Sequence, residues 1–321
     1  MKKHRFYLKK YKGGWVKDSF DGRDFQWNKV FGTTTPAAEQ LPAEWSWWPV
    51  CPKEIPEQLD IPSCVSCSFA FLQAFNSKQE NGFNDLLSWA FLWANLGDKR
   101  LPYGSTYRDN AQICQNNGIC VEETYAKEFA INTKFDLQMV PILAYTEALT
   151  YRIKNYSYVN WLDFKRALFL KPLIVAVGGN NTTWQDFSKP IVYPGNNNID
   201  WYHSIVIIGW DQNNNWEFVN WWGEERDHGF LDSKYPFEAM LSVQDIKDEL
   251  LPNKNVMNLY KMASSSTVYL CNEVNLTARA IYSGDAYMAL TGDINFAMVK
   301  VIDPAVFAKY KLVGRIDIKT I

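Results

Sequence analysis

Apolar and small residues run almost unbroken from Cys64 to Phe75, directly after Ile61-Pro62-Ser63. That pattern predicts a buried helix beginning near Cys64, with a turn before it and Ser63 as a possible N-cap. A second helix is expected over 84–97, ended by Gly97, and a third from Ser105 or Thr106 to Asn117, stopped by Gly118. From about residue 160 the pattern changes. Residues 160–168 read as a short capped helix stopped by Pro172, and Leu173-Ile174-Val175-Ala176-Val177-Gly178 as a buried strand. After a polar loop over 179–202, which should wall a cleft, 203–210 and 216–220 predict a hairpin about 211–215. Residues 229–232 continue the sheet, and 236–251 are expected to form a closing helix. A helical first half and a strand-rich second half make the fold class α+β and two-lobed, with a cleft between the lobes.

The same pattern divides the chain into four segments. Residues 1–40 are expected to be an extended N-terminal arm, 41–251 the main domain, and 252–266 a polar junction. Residues 267–321 then carry short strands (268–270 and 298–301) and two helical pieces (285–290 and 304–310), a small α/β appendage.

Composition narrows the function classes. A chain of 321 residues with 47% hydrophobic positions is globular, and 14 Trp, 17 Tyr and 19 Phe imply a core built on ring packing. A net charge of −2 makes nucleic-acid binding unlikely. Residues 1–12 hold six Lys or Arg and no acid, a solvated tail or an arm for a protein or polyanionic partner. The six cysteines have neither disulfide-scaffold nor zinc-ligand spacing, so no metal and no cofactor is expected, and Cys114 and Cys120 read as core thiols. Neither a signal peptide nor a membrane-spanning run is visible, which points to a reducing cytoplasm.

Cys64 is the candidate nucleophile. At a helix start, free backbone N–H groups and the helix dipole favour thiolate over thiol. Gln58 lies six residues earlier. Far downstream, His203 opens an apolar run ending Gly209-Trp210-Asp211, and Phe218-Val219-Asn220-Trp221-Trp222-Gly223 follows. These stretches, in this order, resemble papain-like cysteine peptidases (C1-type) of the bacterial or phage kind. The resemblance implies a papain-like two-lobed fold and hydrolysis of polypeptides. It also implies a Cys64–His203 pair, Asn220 orienting the imidazole, Trp222 shielding that bond, and an oxyanion hole from Gln58 and the Cys64 N–H. Gly13-Gly14-Trp15 through Arg23-Asp24-Phe25 resembles the start of bacterial members, where it wraps the surface as an extended strand, and Leu41-Pro42 through Trp48 resembles the start of the mature domain.

Cys67 competes, because Cys64-Val65-Ser66-Cys67 mimics the Cys-Gly-Ser-Cys of eukaryotic members. It stands nine residues from Gln58 and almost a turn into the helix, where free N–H groups have run out. Departures from the family pattern include Val65 after the nucleophile, Pro62 in the oxyanion turn, Tyr202 before the histidine and Trp221 in place of Ser; the last two predict a partly filled cleft. His228 reads as a solvent-facing turn residue. A papain-like scaffold without activity, in a virion or at a surface, is the alternative reading, with 267–321 resembling modules appended to bacterial and phage wall enzymes and offering a partner surface.

Overall fold

The computed structural model describes residues 13–22, 24, 26–28, 41–82, 84–223, 226–245, 257–262, 267–272, 277–281, 299–309 and 311–316. After the short strand β1 (Trp45–Ser46) the chain enters its long helix α1 (Cys64–Asn81), followed by α2 (Trp89–Asn95), α3 (Tyr107–Asn116), α4 (Lys127–Asn132) and α5 (Ile142–Ala148). Strand β2 (Ile153–Tyr158) and helix α6 (Phe164–Leu170) lead into β3 (Leu173–Gly179), β4 (Trp201–Trp210), β5 (Trp216–Val219), β6 (His228–Leu231) and β7 (Ala239–Asp245).

The six strands β2 to β7 form one antiparallel sheet in the order β2-β7-β3-β4-β5-β6, with β1 paired to β4. Alternation along its strands builds two cores. Ile174, Ala176, Val206, Ile208, Leu241 and Val243 face the helices. Leu173, Val175, Val177, Ile205 and Ile207 face the opposite way, against Trp184, Trp210, Phe218 and Phe164. Both faces are covered, which is why β3 and β4 read as continuous apolar runs.

The expected closing helix over 236–251 is instead β7, and residues 246–251 lie outside the described residues. β7 fits between β2 and β3, pairing Leu241 with both Tyr158 and Ile174. A strand flanked on both edges gains two hydrogen-bond ladders, and that tertiary gain overrides helix propensity. The second helix is also shorter than expected. Glu122 N–H bonds the Leu86 carbonyl and Leu87 bridges Val121, so the chain is extended until Ser88 caps α2 by accepting from Phe91 N–H at 3.2 Å. The third helix ends as expected, with Gly118 at φ +79°.

Met257–Met262 (β8), inside the stretch expected to be a junction, is a strand. It joins β9 (Val268–Asn272), β10 (Thr277–Ile281), β11 (Val299–Ile302) and β12 (Lys311–Ile316) in a five-stranded sheet ordered β11-β8-β9-β10-β12. Helix α7 (Pro304–Phe307) sits between the last two strands in sequence; the helical piece expected over 285–290 lies outside the described residues. No helix among the described residues is long and apolar enough to cross a membrane.

Candidate active site

Cys64 is the first residue of α1 and is fully buried. Its Sγ accepts the Ser204 N–H at 3.4 Å, which sets the thiol beside the backbone of β4 one residue from His203. Ser68, one turn into α1, shares a hydrogen bond of 2.7 Å with the Ser204 hydroxyl, and Tyr107 OH meets that hydroxyl at 3.2 Å. Helix and sheet are thus joined by a short polar seam directly behind the thiol.

The hairpin places the other two groups. Val206 pairs with Val219, so the next residue, Asn220, comes opposite Ile205 and on the same face as His203. His203 Nε2 and Asn220 Oδ1 are 2.7 Å apart, and Asn220 is itself held by Nδ2 donating to the Arg226 carbonyl at 2.8 Å. With Nε2 donating to Asn220, Nδ1 is the free nitrogen, buried and without a partner among the described residues. The Trp222 ring stacks on the imidazole at 4.6 Å and 28°. Trp184 and Trp201 stand edge-on to it at 6.3 and 6.0 Å. The polar loop therefore does wall the histidine, through Trp184.

Gln58 is buried, with Nε2 donating to the Ile61 carbonyl at 3.0 Å and its backbone N–H to the Trp221 carbonyl at 3.0 Å. One amide N–H remains for a ligand. Ser63 occupies the N-cap position of α1 but makes no side-chain cap, a correction to the expectation. Its hydroxyl lies 3.9 Å from Cys67 Sγ, while the N–H groups of Cys64 and Val65 lean on the Cys64 sulfur instead. Cys67 N–H is already bonded to the Ser63 carbonyl at 3.0 Å. His228 is not a turn residue: it lies on β6, stacked on Trp48 at 4.2 Å and paired with Glu217 at 2.8 Å. Among the described residues no cluster of His, Cys, Asp and Glu could hold a metal ion.

The groove itself is occupied by residues 14–16, which the sequence assigned to the surface. Gly14 N–H donates to the Tyr202 carbonyl (3.0 Å), the Gly14 carbonyl accepts from Ser105 N–H (2.9 Å), and Val16 N–H donates to the Ser105 carbonyl (3.0 Å). This strand bridges the two halves across the thiol. A Cβ on Gly14 would lie 2.3 Å from the Pro62 carbonyl oxygen and 3.0 Å from Cys64 Sγ. Downstream, Asp18 takes the Tyr107 and Arg108 N–H groups at the start of α3 (3.2 and 3.1 Å) and the Tyr158 hydroxyl (3.1 Å), anchoring the segment. Tyr202 and Trp221 do not fill the cleft. Trp221 turns into the helical core, packs against Phe71 with the rings tilted by 50° and donates to the Ser204 carbonyl at 2.8 Å, and Tyr202 is 41% exposed. The adjacent glycines 13 and 14 before a tryptophan were the available signal, because such a pair allows close backbone approach.

Burial under this strand sets the protonation of the pair. It pushes the Cys64 thiol up to about 12, against the lowering effect of the Ser204, Gly14, Val65 and Cys64 N–H groups. It pushes the His203 imidazole down to about 4, only partly offset by Asn220. The covered form thus holds a neutral thiol and a neutral imidazole, not the activated thiolate expected from the helix start alone. For His203 the stabilisation of the native form is complete above the ordinary value of 6.5 and is lost as pH falls toward 4, on the order of 3 kcal/mol in all. For Cys64 the loss comes on the other side, as pH rises from 9 toward 12. The melting temperature should therefore fall more steeply between pH 6.5 and 4 in the wild type than in His203→Gln; parallel curves would refute the buried neutral imidazole.

No protein-family profile and no curated protein sequence matches the chain. Solved structures do. Xylellain, a cysteine protease from Xylella fastidiosa, superposes with a TM-score of 0.61 at 20% identity, over 74% of this chain and 97% of that one. Digestive procathepsin L2 proteinase from the Tenebrio molitor larval midgut gives 0.56 at 15% identity, over 73% and 78%. Procathepsin B S9 from Trypanosoma congolense gives 0.54 at 16% identity, over 73% and 86%. The chain has the papain-like cysteine-protease fold, α+β and two-lobed.

Proposed function

We propose that the protein is a cysteine-type peptidase working through Cys64, His203, Asn220 and Gln58. The observation that carries this is the convergence of a helix-start thiol, held by Ser204 N–H at 3.4 Å, with an imidazole whose far nitrogen is fixed by Asn220 at 2.7 Å. With the groove open, His203 Nδ1 takes the thiol proton, and the thiolate attacks a peptide carbonyl carbon. The remaining Gln58 N–H and the Cys64 N–H stabilise the oxyanion. As the C–N bond breaks, His203 returns the proton to the leaving amine; water then hydrolyses the thioester with His203 as base. Asn220 keeps the ring in register, the part Asp plays in serine triads, and Trp222 keeps water from that bond. The fold is shared with xylellain and the procathepsins, proteases by name. Cys51, Cys64, Cys67, Cys114 and Cys120 are free and buried, which suits a reducing compartment.

The test is hydrolysis of an unfolded polypeptide by the wild type and by Gln58→Ala. Turnover should fall by about 10²–10³ in the variant while iodoacetamide still labels Cys64 at the wild-type rate, because the lost donor acts only on the transition state. The reading fails if the variant turns over normally. It fails too if no polypeptide is cut even once the groove has been opened by Gly14→Ala, and the chain is then an inert scaffold of this fold.

A further inference from the structure

Ser204 is fully buried and all its polar groups are committed. Strand β5 pairs with β4 only as far as Val206 opposite Val219, so that ladder has ended before Ser204 is reached. The Ser204 N–H goes to Cys64 Sγ at 3.4 Å, and its carbonyl accepts the Trp221 indole N–H at 2.8 Å. The hydroxyl lies in a buried chain whose direction follows from counting protons. Ser68 Oγ donates to the Cys64 carbonyl at 3.0 Å, which uses its one proton. Ser204 therefore donates in the 2.7 Å contact with Ser68, and Tyr107 donates in the 3.2 Å contact with Ser204. The chain runs one way, from the first residue of α3 through β4 to the carbonyl of the first residue of α1. Among the N–H groups that favour the thiolate, that of Ser204 counts for most. Unlike the Gly14 N–H, it lies on β4 and stays when residues 14–16 leave the groove.

We propose that Ser204 is a further working residue of this site: its backbone N–H holds the Cys64 thiolate, and its hydroxyl, with Ser68 and Tyr107 as positioning residues, keeps that N–H aimed at the sulfur. Its use in catalysis rests on the peptidase reading, whereas the hold on the thiol needs no turnover. A hydrogen bond to an ionised acceptor is shorter and stronger than one to a neutral acceptor, so the contact tightens as the thiol loses its proton. The chain keeps the N–H in place because three buried hydroxyls with every proton assigned have no equivalent second arrangement. Among the described residues, the titratable groups beside the sulfur are Cys67, Tyr107 and, next along β4, His203. Burial pushes Cys67 and Tyr107 well up, so both keep their protons near neutral pH, and the titration there belongs to Cys64 and His203.

The test follows alkylation of Cys64 by iodoacetamide against pH in the full-length wild type and in Ser204→Ala, Ser68→Ala and Tyr107→Phe. Ser204→Ala and Ser68→Ala each leave one buried hydroxyl proton without an acceptor, and each should move the inflection of the rate up by about one pH unit. Below the inflection the rate should fall only about threefold, because the more basic thiolate is also the better nucleophile. Tyr107→Phe removes the first proton of the chain and orphans none, so it should move the inflection the same way by less than half as much. Loosened packing alone has the opposite signature, faster alkylation with the inflection unmoved, and that result overturns the proposal. A Tyr107→Phe shift as large as that of Ser68→Ala overturns it too. Shifted inflections in a protein that cuts no polypeptide would end the peptidase reading and leave this one standing. Unshifted inflections in variants that cut polypeptide at the wild-type kcat would do the reverse.

Discussion

Gly14→Ala should speed alkylation of Cys64 at neutral pH by about a hundredfold, the equivalent of roughly 3 kcal/mol taken from the covered state. The added methyl would sit 2.3 Å from the Pro62 carbonyl oxygen and 3.0 Å from the sulfur. The first obstacle is backbone and cannot swing aside, so the strand must leave. It then gives up four backbone hydrogen bonds, to Tyr202 and Ser105, and the burial of Trp15. At about 1 kcal/mol net per bond, and more for the indole, the closed state has at least that much to lose. Once water reaches the pair, the burial that pushes the thiol to about 12 and the imidazole to about 4 is gone. The helix start and the N–H groups of Ser204 and Val65 remain, and they favour thiolate. Mass spectrometry after limiting iodoacetamide resolves the effect by residue. Cys51, Cys67, Cys114 and Cys120 are buried away from the strand and should not change. A rise shared by all of them would mean general loosening, and no rise at Cys64 would mean that the strand does not guard it.

Cys64→Ala should leave no measurable peptidase activity in a folded protein, whereas Cys67→Ala should keep most of it. The two thiols lie in one helix and differ in what surrounds them. Cys64 sulfur is met by backbone N–H groups from α1, β4 and the N-terminal strand. Cys67 has its own N–H spent on Ser63, its sulfur near the Ser63 hydroxyl, and a thiol pushed well up by burial and by Cys64. Removing the Cys67 sulfur should cost stability through packing alone, about 1–2 kcal/mol, read as a lower melting temperature. If Cys67→Ala instead abolishes turnover without unfolding the chain, the nucleophile has been misassigned and Gln58 is out of register with it.

What could be read from the amino-acid order was whatever depends on near neighbours. Helix α1 begins where Pro62-Ser63 gives way to an apolar run, and α3 lies between Thr106 and Gly118, because caps and stops act within one turn. His203 and Asn220 lie on one hairpin, which the short loop predicts, but they share a face only because a bulge between Ile207 and Gly209 shifts the register by one residue. Gln58 and Cys64 are six residues apart and share one turn. The side-chain cap expected of Ser63 is absent, its hydroxyl lying 3.9 Å from the Cys67 sulfur. β7 became a strand only because β2 and β3 leave a place between them, and each comes from a distant part of the chain. Trp184 beside His203, and Gly14 and Trp15 over Cys64, are likewise long-range neighbours. The order of residues determined which groups could do the chemistry. Whether the thiol is charged, and what covers it, was decided by tertiary packing, because burial acts through every element that closes around a group and has no period along the chain.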